Sequence, residues 1–109
     1  MGERPYELNA RIVNAVFAAI DDVNQMLPEE YWLAKSSDTV IFGPSAVLDS
    51  MGFVNLIAAV EERITTEFGV TISFLGTKAI TQGNVFKTLG TLTAYITRVL
   101  LPSVDHRSE

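Results

Sequence analysis

The chain contains no cysteine, which excludes a disulfide framework, a thiolate metal site and a cysteine nucleophile. Histidine is nearly absent as well. His106 is the single one and lies in the C-terminal tail, where it reads as a solvated side chain, so Ser-His and Cys-His nucleophilic constellations cannot be assembled. Glycine-rich phosphate loops are missing: Gly43-Pro44-Ser45 has neither the Walker lysine nor the dinucleotide-fold glycines. The carboxylate pairs Asp21-Asp22 and Glu61-Glu62 are adjacent in sequence. On a helix such neighbours point about 100° apart, which suits surface charge better than acid/base catalysis or a metal. No apolar run approaches the ~20 residues needed to span a bilayer. Arg4, Glu7 and Arg11 flank no signal-peptide core, since Asn14 interrupts Ile12 to Ile20. Basic residues are the minority, eight against thirteen acidic for a net charge of −5, which disfavours a nucleic-acid ligand. These absences predict a soluble, cytoplasmic, monomeric protein with no metal and no catalysis of its own.

What remains is a single domain over residues 1–109, with a core from about 6 to 101 and loose termini at 1–5 and 102–109. Hydrophobic content of 48% against 19% charged argues for a folded globule rather than a disordered tail. The charge is uneven. Glu29 to Glu67 holds seven acidic and two basic residues, whereas Phe68 to Leu101 holds three basic and no acidic ones. Acid is therefore expected around the middle of the chain, where it suits partners with basic docking patches. A solvated, solubilising face explains the same count.

Apolar residues recur at Leu8, Ile12, Val16, Ile20 and Val23, a spacing that predicts a first helix from Tyr6 to about Leu27, ended by Pro28. Glu29 to Leu48 reads as a long connection. Within it Glu30-Tyr31-Trp32-Leu33 is a candidate short turn whose Tyr31 and Trp32 would plug the core. Thr39-Val40-Ile41-Phe42 is strand-like in composition but has no evident partner, so it is expected to be buried loop. Phe53, Leu56, Ile57, Val60, Ile64 and Phe68 keep the i, i+3, i+4 pattern of a second helix over about Ser50 to Phe68, with Gly69 closing it. Met51, Val54 and Ala58 share another side of it. Val70 to Leu75 alternates but reads as extended loop between Gly69 and Gly76. Thr77 to Thr81 is a candidate short helix broken by Gly83-Asn84. A last helix is expected from Phe86 or Leu89 to Leu101, with Pro102 following. The fold class this predicts is all-α, a four-helix bundle of three long helices and one short, with a long first loop.

The stretch that stands out is Val47-Leu48-Asp49-Ser50-Met51-Gly52-Phe53. Asp and Ser are favoured N-caps, so Asp49 or Ser50 is expected to open the second helix and leave the Ser50 hydroxyl exposed at its positive end. A helix N-terminus carries roughly half a positive elementary charge and free amides, and tolerates a phosphate. Ser45 competes as a modifiable serine but lacks both the preceding Asp and the following helix. Gly52 costs roughly 0.5–1 kcal/mol against alanine in a helix. Close approach of another group and neutral drift both account for it.

Leu48-Asp49-Ser50-Met51-Gly52, followed by Val54-Asn55-Leu56-Ile57-Ala58-Ala59-Val60-Glu61-Glu62 and later by Leu92-x-x-Tyr95-Ile96, resembles the acyl carrier proteins. The resemblance covers roughly Leu8 to Leu101 and is strongest from Gly43 to Ile72. It implies an acyl-carrier-protein-like four-helix bundle. It also implies a 4′-phosphopantetheine arm on Ser50, attached from coenzyme A by a phosphopantetheinyl transferase that largely holds the Mg²⁺. The arm would carry acyl or aminoacyl groups as thioesters to loading and transfer enzymes. The sulfur of such a thioester must come from the arm, because the chain supplies none. Asp49, Met51, Val54 and Glu61 are then the expected partner-binding residues, and the small Ala58 and Ala59 would leave room for an acyl chain between helices. The second helix is less acidic than is usual in that family and has Asn55 where many members have glutamate. Those departures point away from fatty-acid synthesis towards a polyketide, aminoacyl, D-alanyl or surface-polysaccharide pathway. Two other readings stand beside this one. A non-carrier helical interaction module would use the apolar face of the second helix, and a small enzyme would use Ser50 as nucleophile.

Overall fold

A computed structural model describes the backbone of residues 5–74 and 85–107 and the side chains of 6–74 and 85–100. Among the described residues there are three α-helices and no strand: α1 (Pro5–Asn24), α2 (Ser50–Phe68) and α3 (Leu89–Arg107), with a 3-10 turn at Glu29–Tyr31. The expected short helix at Thr77 to Thr81 lies outside the described residues. None of the described helices is long and apolar enough to cross a membrane.

The buried stripes are those the periodicity predicts. Leu8, Ile12, Val16, Ile20 and Val23 of α1 meet Phe53, Leu56, Ile57, Val60, Ile64 and Phe68 of α2 and Leu89, Leu92, Ile96 and Leu100 of α3 in one core. α1 packs against both other helices. Between α2 and α3 lies a run of rings instead: Phe53 meets Phe86 edge-on at 5.9 Å, and Phe74 meets Phe86 at 6.0 Å and Tyr95 at 5.8 Å. Such tilted pairs let each ring's positive edge meet its neighbour's negative face.

α1 stops at Asn24, short of the expected Leu27, because its last turn tightens. Met26 and Leu27 donate to carbonyls three residues back, Val23 and Asn24. The Asn24 side chain turns inward, where its Nδ2 donates to the Leu33 carbonyl (3.1 Å) and its Oδ1 accepts from the Leu33 amide (2.8 Å). This pairing seats Leu33 in the core and corrects the expectation for its neighbours. Tyr31 and Trp32 do not plug the core; each is 50% exposed. The polar tip of Trp32 explains its place, since Nε1 donates to the Leu27 carbonyl at 2.9 Å.

The 39–42 segment is loop, as expected, but of its residues only Ile41 is buried, and the segment does have a partner. Val40 forms an isolated antiparallel bridge with Thr88, flanked by Ile41 N–H to the Lys87 carbonyl (2.8 Å) and Leu89 N–H to the Thr39 carbonyl (3.0 Å). Gly90 donates to the Ser37 carbonyl at 2.9 Å, and a Cβ on Gly90 would stand 3.0 Å from that oxygen. The loop therefore lies on the start of α3 because residue 90 has no side chain.

α3 begins at Leu89 rather than Phe86, and Thr88 decides it. The Thr91 amide donates to Thr88 Oγ1 (3.1 Å) while the Thr88 amide donates to Thr91 Oγ1 (3.0 Å), a reciprocal cap of the Ser/Thr type. The helix does not stop before Pro102 but runs through it to Arg107. A proline cannot donate to the carbonyl four residues back, here Arg98, yet the turn after it keeps helical dihedrals. The backbone of residues 102–107 is thus helical, with His106 on it.

Candidate functional site

Asp49 is the N-cap of α2. Its backbone is extended (φ −81°, ψ −175°), and its Oδ1 accepts from the Gly52 amide at 2.7 Å. Its carbonyl accepts from the Phe53 amide at 2.9 Å. This leaves Ser50 as the first helical residue, exposed, with its hydroxyl not spent on capping. Gly52 acquires a reason here. A Cβ on it would stand 3.0 Å from Leu48 Cδ2 and 3.3 Å from Asp49 Oδ1, crowding the cap from inside the turn. At the other end Gly69 takes the left-handed conformation (φ 70°) and donates to the Thr65 carbonyl, closing α2 where expected.

Exposed apolar residues follow Ser50 on α2 and precede it in the loop. Met51 is 69% exposed and Val54 sits one turn on along the same side, also exposed. The loop before the helix adds Val47 and Phe42, the latter 52% exposed and leaning on the Phe53 ring at 4.9 Å. Phe42 thus departs from the buried place expected for the 39–42 segment, and Val47 was not among the expected partner-binding residues. The available signal was two apolar residues flanking Gly43-Pro44 in a segment with one charge. Ser45 is exposed too, but in a turn closed by Ala46 N–H to the Gly43 carbonyl, away from any helix start. From Ser36 to Glu62 there is no lysine or arginine; an anion on Ser50 would meet the partial positive charge of the helix end.

Asp49, Ser50, Met51 and Val54 are brought together; Glu61 is not. Eleven residues of helix put it about 16 Å from Ser50 along the axis. One of its carboxylate oxygens accepts from the Phe74 amide at 2.6 Å, so Glu61 fixes the 70–74 segment against α2. Beyond it α2 is tied to α1. Arg63 donates from Nε (2.8 Å) and one terminal nitrogen (2.7 Å) to the two carboxylate oxygens of Asp22, the two-pronged geometry that suits a guanidinium. Those hydrogen bonds hold the Asp22 carboxyl below its ordinary pKa, against the opposing effect of partial burial, and the Arg63 charge adds to the lowering. Arg63 is raised for the same reasons, the hydrogen bond first and the Asp22 charge second. Arg11 donates to Glu67 Oε2 (2.9 Å) and to the Glu67 carbonyl (3.1 Å), and its guanidinium lies 4.4 Å from the Phe68 ring centre.

Of the small residues of α2, Ala58 faces solvent and Ala59 packs partly on the core. A half-open, mainly apolar cleft of about 220 Å³ lies between α1 and α3, lined among others by Val13, Phe17, Leu89 and Thr93. Among the described residues no group of three or more His, Cys, Asp or Glu side chains could hold a metal ion.

No family model matches the chain, and no curated protein or solved structure matches it either.

Proposed function

We propose that this protein is an acyl carrier of the four-helix type, its arm attached to Ser50. One observation carries the reading: an exposed serine hydroxyl at the first position of a long helix whose cap is supplied by the preceding aspartate, so modification costs the helix nothing. A phosphopantetheine arm fits this place. Its phosphate would sit at the positive end of α2, and no neighbouring carboxylate except the engaged Asp49 opposes it within the stretch from Phe42 to Val60. The arm would supply the thiol on which acyl or aminoacyl groups travel as thioesters. The chain's own residues present and cap: Ser50 offers the oxygen that loses its proton on attachment, Asp49 holds the first turn, and the apolar residues beside them form the ground on which enzymes meet the carrier. On this reading catalysis belongs to those enzymes.

Co-expression with a broad-specificity phosphopantetheinyl transferase followed by intact-mass measurement tests the proposal. The expected result is a gain of one phosphopantetheine that Ser50→Ala abolishes and Ser45→Ala leaves in place. An unmodified protein would return the apolar face of α2 to the alternative of an interaction module without an arm.

A further inference from the structure

Where α1 gives way to the first loop, the chain presents a surface that has no part in the presentation of Ser50. Met26 is 65% exposed, and Tyr31 and Trp32 are 50% exposed. Tight turns fold this stretch on itself: the amides of Met26, Leu27, Tyr31 and Trp32 each donate to the carbonyl three residues back. The indole of Trp32 is fixed as well, because Nε1 donates to the Leu27 carbonyl at 2.9 Å and draws the ring against the turn that follows α1. Exposed tryptophan and tyrosine are the residue types that dominate binding energy at protein interfaces, and a ring already held in place loses little freedom on binding.

The charge beside these rings is of one sign. Glu29 and Glu30 are exposed, and among the described residues neither carboxylate meets a cation. The last turn of α1 holds no basic residue, so its own side chains leave the negative end of the helix dipole unopposed. Lys35, the next cation along the chain, is paired with Asp21 at 3.1 Å, and Asp22 is paired with Arg63. We propose that this junction docks a basic segment of another protein, an arginine of which lies on the Trp32 and Tyr31 rings and pairs with Glu29 and Glu30. A guanidinium suits both halves of the surface, since its planar face stacks on an aromatic ring while its edge donates to carboxylates. An apolar partner would have to strip water from two unpaired carboxylates. Successive residues of a 3-10 turn point about 120° apart, so the two glutamates make a poor chelate for a metal ion.

Trp32 is the only tryptophan, so its emission reports on the surface itself. The test is a titration of the full chain with acetyl-tetra-arginine amide at about 0.05 M NaCl, where exposed charges are weakly screened. The expected result is a saturable change in emission that acetyl-tetraglutamine amide does not produce. Replacing both carboxylates, Glu29→Gln with Glu30→Gln, weakens the arginine peptide by about fivefold or more, with the helical circular dichroism unchanged. Glu62→Gln serves as the control, because Glu62 is equally exposed but has only alanine and threonine one helical turn away on α2. That variant stays within about twofold of the parent. Three results overturn the proposal: no saturation up to about 5 mM peptide, an affinity that ignores the paired glutamine substitutions, or an equal loss in Glu62→Gln. The last would mean that the peptide follows the net charge of −5 and not this surface.

Discussion

From Ser50 to Ala58 the outward side of α2 carries no charge, and Met51 and Val54 stand exposed on it. From Glu61 to Glu67 the same helix is charged on its outer side, and Glu61, Arg63 and Glu67 are each bound to another part of the chain. The first half is held by a cap at its end and a buried stripe beneath, and among the described residues Met51 and Val54 have no polar or charged partner. The second half uses its exposed residues to fasten α1 and the 70–74 segment. Residues that hold the fold are constrained by their partners inside it, whereas Met51 and Val54 are constrained, if at all, by what meets them from outside.

The contrast can be broken first at the stripe both halves share. Ile57 is fully buried, and Ile57→Ala is expected to cost about 2–5 kcal/mol, read as a lower urea midpoint. Next is the charged half. Glu61→Ala deprives the Phe74 amide of its acceptor, at a cost of about 1–3 kcal/mol. Faster amide exchange at Phe74, with α1 unchanged, would locate the damage there. Asp49→Ala removes the cap of the uncharged half for about 1 kcal/mol, with fraying confined to the first turn. A stability unchanged by this variant would mean that the hydroxyl of Ser50 shares the capping.

The Asp22–Arg63 pair gives a pH signature. Because the folded-state pKa of Asp22 is depressed, its contribution is present above the unfolded-state value of about 3.9 and is lost as pH falls through the lower folded-state value. Asp22→Asn should therefore lie below the parent in stability at neutral pH and converge with it in acid. Parallel curves down to the lowest pH would exclude a role for the pair. Smallest of all, Met51→Ala should change stability by no more than about 0.5 kcal/mol while weakening docking of the transferase.

Both ends of α2 were legible because each is written locally. Asp49 sits before the apolar pattern and Gly69 after it, and the periodicity between them names every residue that α2 buries. The departures lie where two distant segments decide together. Leu33 is buried and Trp32 is not because Asn24 pairs with the Leu33 backbone from nine residues away. The 39–42 segment finds its partner at Thr88, and Gly90 matters only because Ser37 lies against it. A count of the acids of the middle third does not show that Glu61 and Glu67 among them hold other parts of the chain. Pro102 misled in the other direction, a strong local stop signal that the helix carries to Arg107.

Trp32 is the sole tryptophan of the chain, and its half-exposed indole is fastened by its N–H to the end of α1. Its emission therefore starts red-shifted and follows the opening of that one junction, while the ellipticity of the helices follows the globule. Melting curves taken by the two signals coincide only if the first loop and the bundle come apart together. A fluorescence transition that runs ahead of the ellipticity would mark the long connection as a separate unit, one that loosens while the floor under Ser50 still stands.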